Sequence, residues 1–201
     1  MQGYLVSNKK EECFGCGACY QSCPVQAISM EYDEEKFWYP VINEETCIHC
    51  DKCKRVCPAV DENRKLNAIE NAWGGYHADV KVREQSTSGG AFTAISEEWL
   101  KQDGVIFGAK LRKPTEIIHS CATNMEEAAK FRKSKYLQSD TKMTFKEVQA
   151  FLKEGKKVLY SGTPCQIAGL KCFLGNDADN EHLLLVEVVC SEKRSIRETA
   201  H

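Results

Sequence analysis

The chain has 201 residues, a formal net charge of −2 and 12 cysteines. This length allows one or two domains, and the near-neutral charge gives no case for nucleic acid binding. No run reaches the roughly 18 apolar residues that a membrane helix requires, and the first ten residues contain no apolar signal-peptide core. We therefore expect a cytoplasmic protein without a membrane span, whose cysteines need a role other than disulfide bonds.

Eight of the cysteines form one pattern that occurs twice. Each copy reads Cys-x2-Cys-x2-Cys-x3-Cys-Pro, and the complete set is Cys13, Cys16, Cys19, Cys23, Cys47, Cys50, Cys53 and Cys57. This run is typical of bacterial-type ferredoxins, in which two copies bind two [4Fe-4S] clusters. The pattern therefore predicts a protein that transfers electrons.

The spacing also predicts which cysteines share a cluster. Three cysteines of one short loop can surround a single cluster, whereas the fourth, before the proline, ligates the other cluster in two-cluster ferredoxins. The first cluster is assigned Cys13, Cys16, Cys19 and Cys57, and the second is assigned Cys47, Cys50, Cys53 and Cys23. Gly15 and Gly17 suit the tight first loop because they lack a Cβ.

Zinc and disulfide bonds are the alternatives for these cysteines. Zinc sites usually use separated pairs of cysteines instead of a run of four that ends in Cys-Pro, and disulfides need an oxidising compartment. The pattern favours iron–sulfur clusters over both. His49 lies inside the second run, where four cysteines already complete the site. We interpret it as a solvated loop residue or a hydrogen-bond donor to sulfur.

Residues 1–62 form the predicted two-cluster ferredoxin-type domain. Residues 27–30 and 38–41 are predicted strands on either side of an acidic turn. Metal-binding free energy contributes to the folding of such a small module. Residues 1–64 contain 11 acidic and 7 basic residues, which suits docking to a basic redox partner. Residues 61–71 are polar and are a predicted linker.

Residues 72–190 alternate predicted strands and helices, which is typical of an α/β domain. A strand is expected to end at residues 73–76. The other predicted strands cover residues 105–109, 116–121, 158–160 and 183–189, and the predicted helices cover residues 92–100, 125–132, 144–153 and 166–174.

Two loops in this part suit a phosphate or a flavin. Residues 158–189 form a strand–helix–strand unit with strands expected to be parallel, and ligands bind beyond the carboxyl ends of such strands. Gly162 and Thr163 lie there and open a helix whose free N–H groups suit an anion. Residues 88–91 open another helix in the same way. Ordinary helix starts with favourable turn residues are the alternative.

Three segments resemble signature blocks of the family of coenzyme F-420 hydrogenase/dehydrogenase beta subunits. They read Ser-Gly-Gly-Ala-Phe-Thr at residues 88–93, Lys-Ser-Lys-Tyr-Leu-Gln-Ser at 133–139 and Gly-Thr-Pro-Cys-Gln-Ile-Ala-Gly-Leu at 162–170. The resemblance covers nearly the whole chain as far as Cys190, and the third block is the most specific. It implies an iron–sulfur flavoprotein oxidoreductase with FAD in the second domain. Substrates in this family are deazaflavin, chlorophyll-type or undefined compounds.

The resemblance also implies site residues by position. The flavin phosphates or ring would be contacted by Ser88, Gly89 and Gly90, and the pocket would be lined by Lys135, Tyr136 and Gln138. The residues facing the isoalloxazine ring would be Gly162, Thr163, Pro164, Cys165 and Gln166. Cys165 is also the candidate catalytic residue on separate grounds, because a helix N-terminus lowers the pKa of a thiol.

The chain departs from this family after Cys190. Family members continue, with a His-Gly turn after the matching cysteine, whereas residues 191–201 here are a polar, charged tail. We therefore expect a C-terminally truncated member whose flavin-binding domain, at residues 72–190, is incomplete. The expected fold class is an α+β ferredoxin-like N-terminal module followed by a partial α/β flavin-binding domain.

Four cysteines lie outside the two runs, namely Cys121, Cys165, Cys172 and Cys190. Their number is sufficient for a third cluster, but Cys165 and Cys172 are separated by roughly 10 Å along one helix axis. We interpret all four as structural or flavin-contact thiols. Cys165 and Cys190 are expected at one edge of the sheet if the two strands that precede them are neighbours.

The leading hypothesis is an oxidoreductase in which electrons pass through two [4Fe-4S] clusters to or from FAD and a small-molecule substrate. Its expected protein partner is a redox donor or acceptor, such as a ferredoxin or a hydrogenase-type subunit. One alternative is a non-catalytic ferredoxin-like electron-transfer module whose flavin domain is too incomplete to act. Another is a zinc-binding interaction protein.

Overall fold

The computed structural model describes residues 1–60 and 71–190. The predicted linker at 61–71 and the polar tail at 191–201 therefore lie, except for residue 71, outside the described residues. The first 60 residues contain short elements joined by the cysteine loops. These elements are α1 (Tyr4–Ser7), a 3-10 turn (Lys10–Glu12), α2 (Ala18–Ser22), β1 (Ile28–Tyr32), β2 (Trp38–Ile42) and α3 (Lys52–Arg55).

The hairpin predicted between the two cysteine runs is confirmed. Strands β1 and β2 pair antiparallel, with Ile28 opposite Ile42 and Tyr32 opposite Trp38. The rings of Tyr32 and Trp38 lie 4.1 Å apart between centroids. Asp33 closes the acidic turn because its Oδ1 accepts the N–H groups of Glu35 and Phe37. Strand β1 covers residues 28–32 instead of the predicted 27–30, and its last two residues, Glu31 and Tyr32, are exposed. Strand β2 ends one residue later than predicted, at Ile42.

The second part of the chain contains most of the regular structure. Its elements are α4 (Val80–Glu84), α5 (Ala91–Leu100), β3 (Val105–Lys113), β4 (Glu116–Ala122), α6 (Met125–Ala129), α7 (Thr144–Lys153), β5 (Val158–Gly162), α8 (Pro164–Leu174), a 3-10 turn (Gly175–Asp179) and β6 (Leu183–Glu187). Nearly every predicted element is present, and α7 has the predicted bounds.

The strand end predicted at residues 73–76 is wrong. Residues 71–79 form neither a helix nor a strand. Trp73 is 92% exposed and Tyr76 is 75% exposed, so neither ring packs on a sheet. Tyr76 instead lies beside the Arg83 guanidinium, 5.1 Å from its ring centroid. Aromatic residues next to glycines resembled a buried strand end, but here they belong to an exposed segment.

A four-stranded mixed sheet with the order β4-β3-β5-β6 organises residues 105–187. Strands β5 and β6 are parallel neighbours, as predicted, with Tyr160 opposite Leu185. Strand β3 is parallel to β5 and antiparallel to β4. The hairpin of β3 and β4 makes the sheet mixed, so the chain is α+β as a whole.

Both faces of this sheet are covered. On one face, Phe107 and Tyr160 pack with Phe145 of α7 and Leu170 of α8. On the other face, Ile106 and Leu159 pack against apolar side chains of α5 and α6, which are Phe92, Ile95, Trp99, Met125 and Ala128. Neighbouring residues of one strand thus enter opposite cores, as the alternation of side chains along a strand requires.

The ferredoxin-type module packs on the face that carries α7 and α8. Cys16, Ala18 and Val56 belong to the same buried cluster as Phe145 and Leu170. A Cβ at Gly169 of α8 would lie 2.9 Å from Cys16 Sγ, so the helix and the first cysteine loop are in direct contact. None of the helices in residues 1–60 and 71–190 has the length and apolar character that crossing a membrane requires.

Candidate metal centre

The cysteine loops aim backbone N–H groups at sulfur. Gly15 N donates to Cys13 Sγ at 3.4 Å, and Ala27 N donates to Cys23 Sγ at 3.2 Å. Such bonds stabilise thiolate sulfur in iron–sulfur proteins and influence the potential. Gly15 and Gly17 have φ of 61° and 80°, so both occupy the left-handed region that favours glycine. These features fit a bound cluster.

Cys57 lies close enough to Cys16 and Cys19 of the first run to affect their pKa values. Burial raises the pKa of Cys19 strongly, and the nearby charges of Cys13, Cys57 and Cys53 add to the increase. Burial also raises the pKa of Cys16, with further contributions from Cys19, Cys165 and Cys57. Cys57 therefore lies within electrostatic range of Cys16 and Cys19, as does Cys53 of Cys19, and the assignment of ligands to the first cluster stays a prediction.

Cys23 lies among the cysteines of the second run in the same way. Burial raises the pKa of Cys53, and the charges of Cys23 and Cys47 raise it further. Cys23 also shares one apolar cluster with Ile28, against which Cys47 and Cys53 of the second run and Cys19 of the first run pack. This arrangement agrees with the crossed pairing of the two runs, and the ligand assignment itself stays a prediction.

The two cysteine loops differ in exposure. Cys16 is buried against α8, whereas Cys50 is exposed. Ile48, two residues before Cys50, is 58% exposed. The first loop therefore faces the rest of the protein and the second loop faces solvent.

His49 lies beside sulfur on the solvent side. Its backbone N–H donates to Cys47 Sγ at 3.5 Å, and its ring Nδ1 lies 3.9 Å from the same sulfur. Ligand atoms of Glu44, Cys47 and His49 all lie within 4.8 Å of one another. Because Cys47 is assigned to the second cluster, this group belongs to that site. His49 is exposed and its backbone N–H donates to sulfur, so the geometry agrees with either of the two interpretations offered for it.

Gly3 contributes to this site, although no motif pointed to it. Its φ is 80°, and a Cβ there would lie 2.9 Å from Cys57 Sγ. Glu12 Oε2 accepts the N–H groups of Gln2 and Gly3, both at 3.0 Å. These bonds hold the start of the chain over Cys57. The sequence offered no signal for this contact, because the two residues are far apart along the chain.

Two hydrogen bonds join the segments that contain the first and second signature blocks, each through one residue that directly precedes a block, Thr87 or Arg132. Ser134 N donates to Thr87 Oγ1 at 3.0 Å, and Arg132 Nε donates to Thr93 Oγ1 at 3.0 Å. Gly90 has φ of 79° and is the N-cap of α5. Gly89 and Gly90 are half-buried, and Ser88 is exposed.

Lys135 is directed toward its own loop. Its Nζ donates to Phe131 O, Arg132 O and Lys133 O at 2.7–3.0 Å. Burial lowers the pKa of Lys135 to about 8. Tyr136, its neighbour in the second block, is 69% exposed. The lysine thus uses its three donors on backbone carbonyls.

Gln138 and Thr141 contact the first cysteine loop, which was not expected of either. Gln138 Nε2 donates to Phe14 O at 3.0 Å and to Gly15 O at 2.9 Å. Thr141 Oγ1 donates to Cys16 O at 3.2 Å. We call residues 138–141 the loop-contact segment. A lone glutamine and a lone threonine carry no spacing pattern, so sequence reasoning did not identify this role.

The third signature block contains the N-terminus of α8, whose first backbone N–H groups are capped by side chains of the same block. Thr163 and Gln166 form a capping box at the N-terminus of α8, which satisfies backbone N–H groups within the chain. Gln166 is buried, and its Nε2 donates to Ser139 O and Ser139 Oγ at 3.1 and 3.0 Å. The third block therefore meets the second block at Ser139.

Cys165 occupies the first turn of α8, half-buried, with its Sγ 3.2 Å from Thr163 Oγ1. It contributes to the raised pKa of Cys16, so it lies near the first cysteine loop. Strands β5 and β6 end at one edge of the sheet, and Cys165 and Cys190 follow them as expected. Cys190 is exposed.

Cys121 and Cys172 pack against the main core. Burial raises the pKa of Cys121 to about 11 and also raises the pKa of Cys172. Both thiols therefore resemble small apolar side chains more than activated nucleophiles.

Comparison with known proteins identifies the metal-binding module. Two family models described as a 4Fe-4S dicluster domain match residues 12–60 and residues 39–97. An uncharacterised ferredoxin of Methanocaldococcus jannaschii is 37% identical over 49 residues, which are 24% of this chain and 62% of the relative. The chain therefore contains an iron–sulfur module of the ferredoxin type, with an electron-transfer function.

Two longer relatives extend the similarity beyond this module. One subunit of the F(420)H(2) dehydrogenase of Methanosarcina mazei is 24% identical over 192 residues, which cover 90% of this chain and 53% of the relative. The expected family resemblance is confirmed. An uncharacterised protein of Methanocaldococcus jannaschii is 26% identical over 206 residues, covering 86% of this chain and 57% of the relative. The chain thus spans about half the length of these curated relatives.

A solved structure supports the fold. A chain of the F420-reducing [NiFe] hydrogenase complex from Methanosarcina barkeri matches 65% of this chain and 50% of its own length, with a TM-score of 0.50 and 24% identity. At this identity the match concerns the fold. Of the proteins named here, one relative is a dehydrogenase subunit and the solved chain is part of a hydrogenase complex.

Proposed function

We propose that this chain is the electron-entry part of an iron–sulfur flavoprotein oxidoreductase. The observation that carries the proposal is the placement of its two cysteine loops. One loop is exposed at Cys50, and the other is packed against α8, where a Cβ at Gly169 would lie 2.9 Å from Cys16 Sγ. When bound, [4Fe-4S] clusters exchange single electrons and FAD exchanges pairs, so such a chain connects two kinds of redox partner.

The exposed loop at residues 47–52 is the docking surface for a redox protein in this proposal. Ile48 offers an exposed apolar contact beside the exposed Cys50. The partner is a ferredoxin or another component of a larger complex, since the relatives are named as part of a dehydrogenase and as part of a hydrogenase complex. The final acceptor is a small molecule of the deazaflavin type, by resemblance to the family.

FAD binding at the second part of the chain is supported by the convergence of the three signature blocks. The chain around block one is bonded to the chain around block two: Ser134 of block two bonds to Thr87, just before block one, and Thr93 of block one bonds to Arg132, just before block two. Block two contacts block three through Ser139 and Gln166. In this proposal Ser88, Gly89 and Gly90 approach one side of the flavin, and Gly162, Thr163 and Cys165 approach the other.

The non-catalytic electron-transfer module remains the second candidate, and two observations favour it. The capping box of α8 uses polar groups of Thr163 and Gln166, and Lys135 donates to three carbonyls of its own loop. Groups that were expected to meet a flavin are therefore already bonded within the chain.

Anaerobic reconstitution of the full chain with iron, sulfide and FAD distinguishes the two candidates. The oxidoreductase predicts one tightly bound FAD that a reduced ferredoxin reduces. Cys16→Ser should slow this reduction about tenfold or more because Cys16 is an assigned first-cluster ligand, and Cys121→Ser is the matched control, since Cys121 lies outside both runs and packs against the core. Clusters without bound FAD would favour the electron-transfer module. An unchanged rate in Cys16→Ser would contradict the proposed route.

A further inference from the structure

The first cysteine loop is held from outside by two side chains. Three consecutive carbonyls, those of Phe14, Gly15 and Cys16, accept hydrogen bonds from Gln138 and Thr141. The orientation of the Gln138 amide is fixed by this contact, because an oxygen in place of Nε2 would face two carbonyl oxygens. Gln138 Oε1 is buried and has no hydrogen-bond partner among the described residues. The glutamine thus points both donors at the loop.

The loop-contact segment that carries these side chains is itself well anchored. Asp140 N donates to Ile117 O at 2.9 Å, and Asp140 O accepts from His119 N at 2.8 Å, which attaches the segment to the edge of β4. Thr141 Oγ1 accepts from Gln21 Nε2 at 3.1 Å. Gln21 Oε1 in turn accepts from Phe145 N at 2.8 Å. The segment therefore provides fixed donors for the loop.

One peptide group connects these donors to sulfur. In a trans peptide the C=O and the following N–H point in opposite directions. Phe14 O accepts from Gln138, and the N–H of the same peptide, on Gly15, donates to Cys13 Sγ at 3.4 Å. A side chain that holds the carbonyl in place therefore also directs the N–H toward the sulfur.

We infer that Gln138 and Thr141 are positioning residues that set the reduction potential of the first cluster. Among the described residues, neither forms a hydrogen bond to a cysteine sulfur; Gln138 acts through the Phe14–Gly15 peptide, and Thr141 acts by holding the carbonyl of Cys16, an assigned ligand of this cluster. Hydrogen bonds to sulfur and the net charge nearby are the factors that tune iron–sulfur potentials, and N–H···S bonds favour the more negative, reduced state. This inference rests on the proposed function, because it requires clusters to be bound.

Replacement of Gln138 tests the inference. Gln138→Leu removes both donors at similar size, so the Phe14–Gly15 peptide is free to rotate and the bond to Cys13 weakens. We expect the equilibrium constant for reduction of one cluster to fall about tenfold, which is about 59 mV for one electron. The measurement is a potentiometric titration of the reconstituted full chain, followed by electron paramagnetic resonance.

The design includes a conservative rescue and a matched control. Thr141→Val should lower the same potential, whereas Thr141→Ser retains the hydroxyl and should restore it. Gln102→Leu makes the same chemical change at an exposed site after α5 and should leave both potentials unchanged. Repeating Gln138→Leu in a Cys50→Ala background, which impairs the second cluster, identifies the cluster that shifts.

The outcomes separate this inference from the proposed function. A shift confined to the first cluster, with rescue by Thr141→Ser, supports it. Unchanged potentials in Gln138→Leu, or equal shifts of both clusters, would overturn it. If Gln138→Leu does not assemble its clusters, the pair Thr141→Val and Thr141→Ser decides, and equal potentials in that pair would overturn it. A wild-type chain without clusters would instead contradict the proposed function, and this inference with it.

Discussion

Gly17 lies where the first cysteine loop approaches Thr141 very closely. Its φ is 80°, and a Cβ there would lie 2.7 Å from Thr141 Oγ1. Gly17→Ala should therefore lower the free energy of unfolding through backbone strain, typically about 1 kcal/mol, and through the clash in addition. Gly155→Ala is the control, since Gly155 has φ of 72° but nothing within 4 Å. Thermal unfolding at equal iron content should show the larger decrease for Gly17→Ala. Equal decreases would contradict the close contact.

His119 should make stability depend on pH. Burial lowers its pKa to about 4, with opposing contributions from its bond to Ser161 O and from Asp140, and a further lowering from Lys135. Its Nε2 donates to Ser161 O at 3.0 Å, so Nδ1 is the acceptor for Ser139 Oγ. The folded protein thus keeps His119 neutral, whereas the unfolded chain takes up a proton below about pH 6.5.

The sign of the effect follows from this difference in proton binding. The unfolded state binds more protons between about pH 6.5 and the folded pKa of about 4, so stability falls as pH decreases through that window. The loss should be about 1 kcal/mol between pH 7.5 and pH 5.5. His119→Gln keeps a donor for Ser161 O and should flatten the pH dependence of the unfolding temperature. A parallel curve for this variant would contradict the assignment.

At the scale of single elements, α8 depends on its capping box. Thr163 and Gln166 satisfy each other's backbone N–H groups at the helix start. Thr163→Val keeps the shape of the side chain and loses the oxygen, which should cost about 0.5–2 kcal/mol. Thr163→Ser should retain most of the stability. Thermal unfolding of the two variants checks this, and equal unfolding temperatures would show that the cap contributes little.

Elements with strong local patterns could be predicted from the sequence, and others could not. The α7 helix has apolar residues at helical spacing with Phe145 and Val148 buried, so its bounds followed from the pattern. The strand end predicted at residues 73–76 was wrong because the local pattern of aromatic residues and glycines does not show whether the rings are buried, and here they are exposed. The antiparallel pairing of β3 and β4 was also not predicted. These two strands follow each other without a helix between them, and the general alternation of strands and helices along the chain did not draw attention to this one hairpin.

At the scale of the whole molecule, the two parts of the chain are joined by buried polar contacts. Gln21 is fully buried and bonds to Thr141 and to the backbone of Phe145. Removal of iron by a chelator should loosen the cysteine loops and, through these bonds, residues 138–145. Hydrogen exchange of that segment should increase although it contains no cysteine. The α5 helix, on the opposite face of the sheet, is the internal control, and equal increases in both would indicate global unfolding instead.

The parts of the candidate site that are close together in sequence could be predicted, and the parts that depend on contacts between distant residues could not. The eight cysteines have a fixed spacing, and the sequence therefore identified them as a set. Gln138 was assigned to a flavin pocket by resemblance, yet it donates to the carbonyls of Phe14 and Gly15, more than 120 positions away. A contact of this kind arises only when the ferredoxin-type module packs on α7 and α8. Gly3, which lies over Cys57, is a second case.

The crossed pairing of the two cysteine runs is the central claim, and it can be tested directly. The reconstituted chain should contain about eight iron atoms and about eight sulfides. In single cysteine-to-serine variants studied by electron paramagnetic resonance, Cys57→Ser should perturb the same cluster signal as Cys13→Ser. Cys23→Ser should perturb the same signal as Cys50→Ser. If Cys57→Ser instead perturbed the signal that Cys50→Ser perturbs, the crossed pairing would be contradicted.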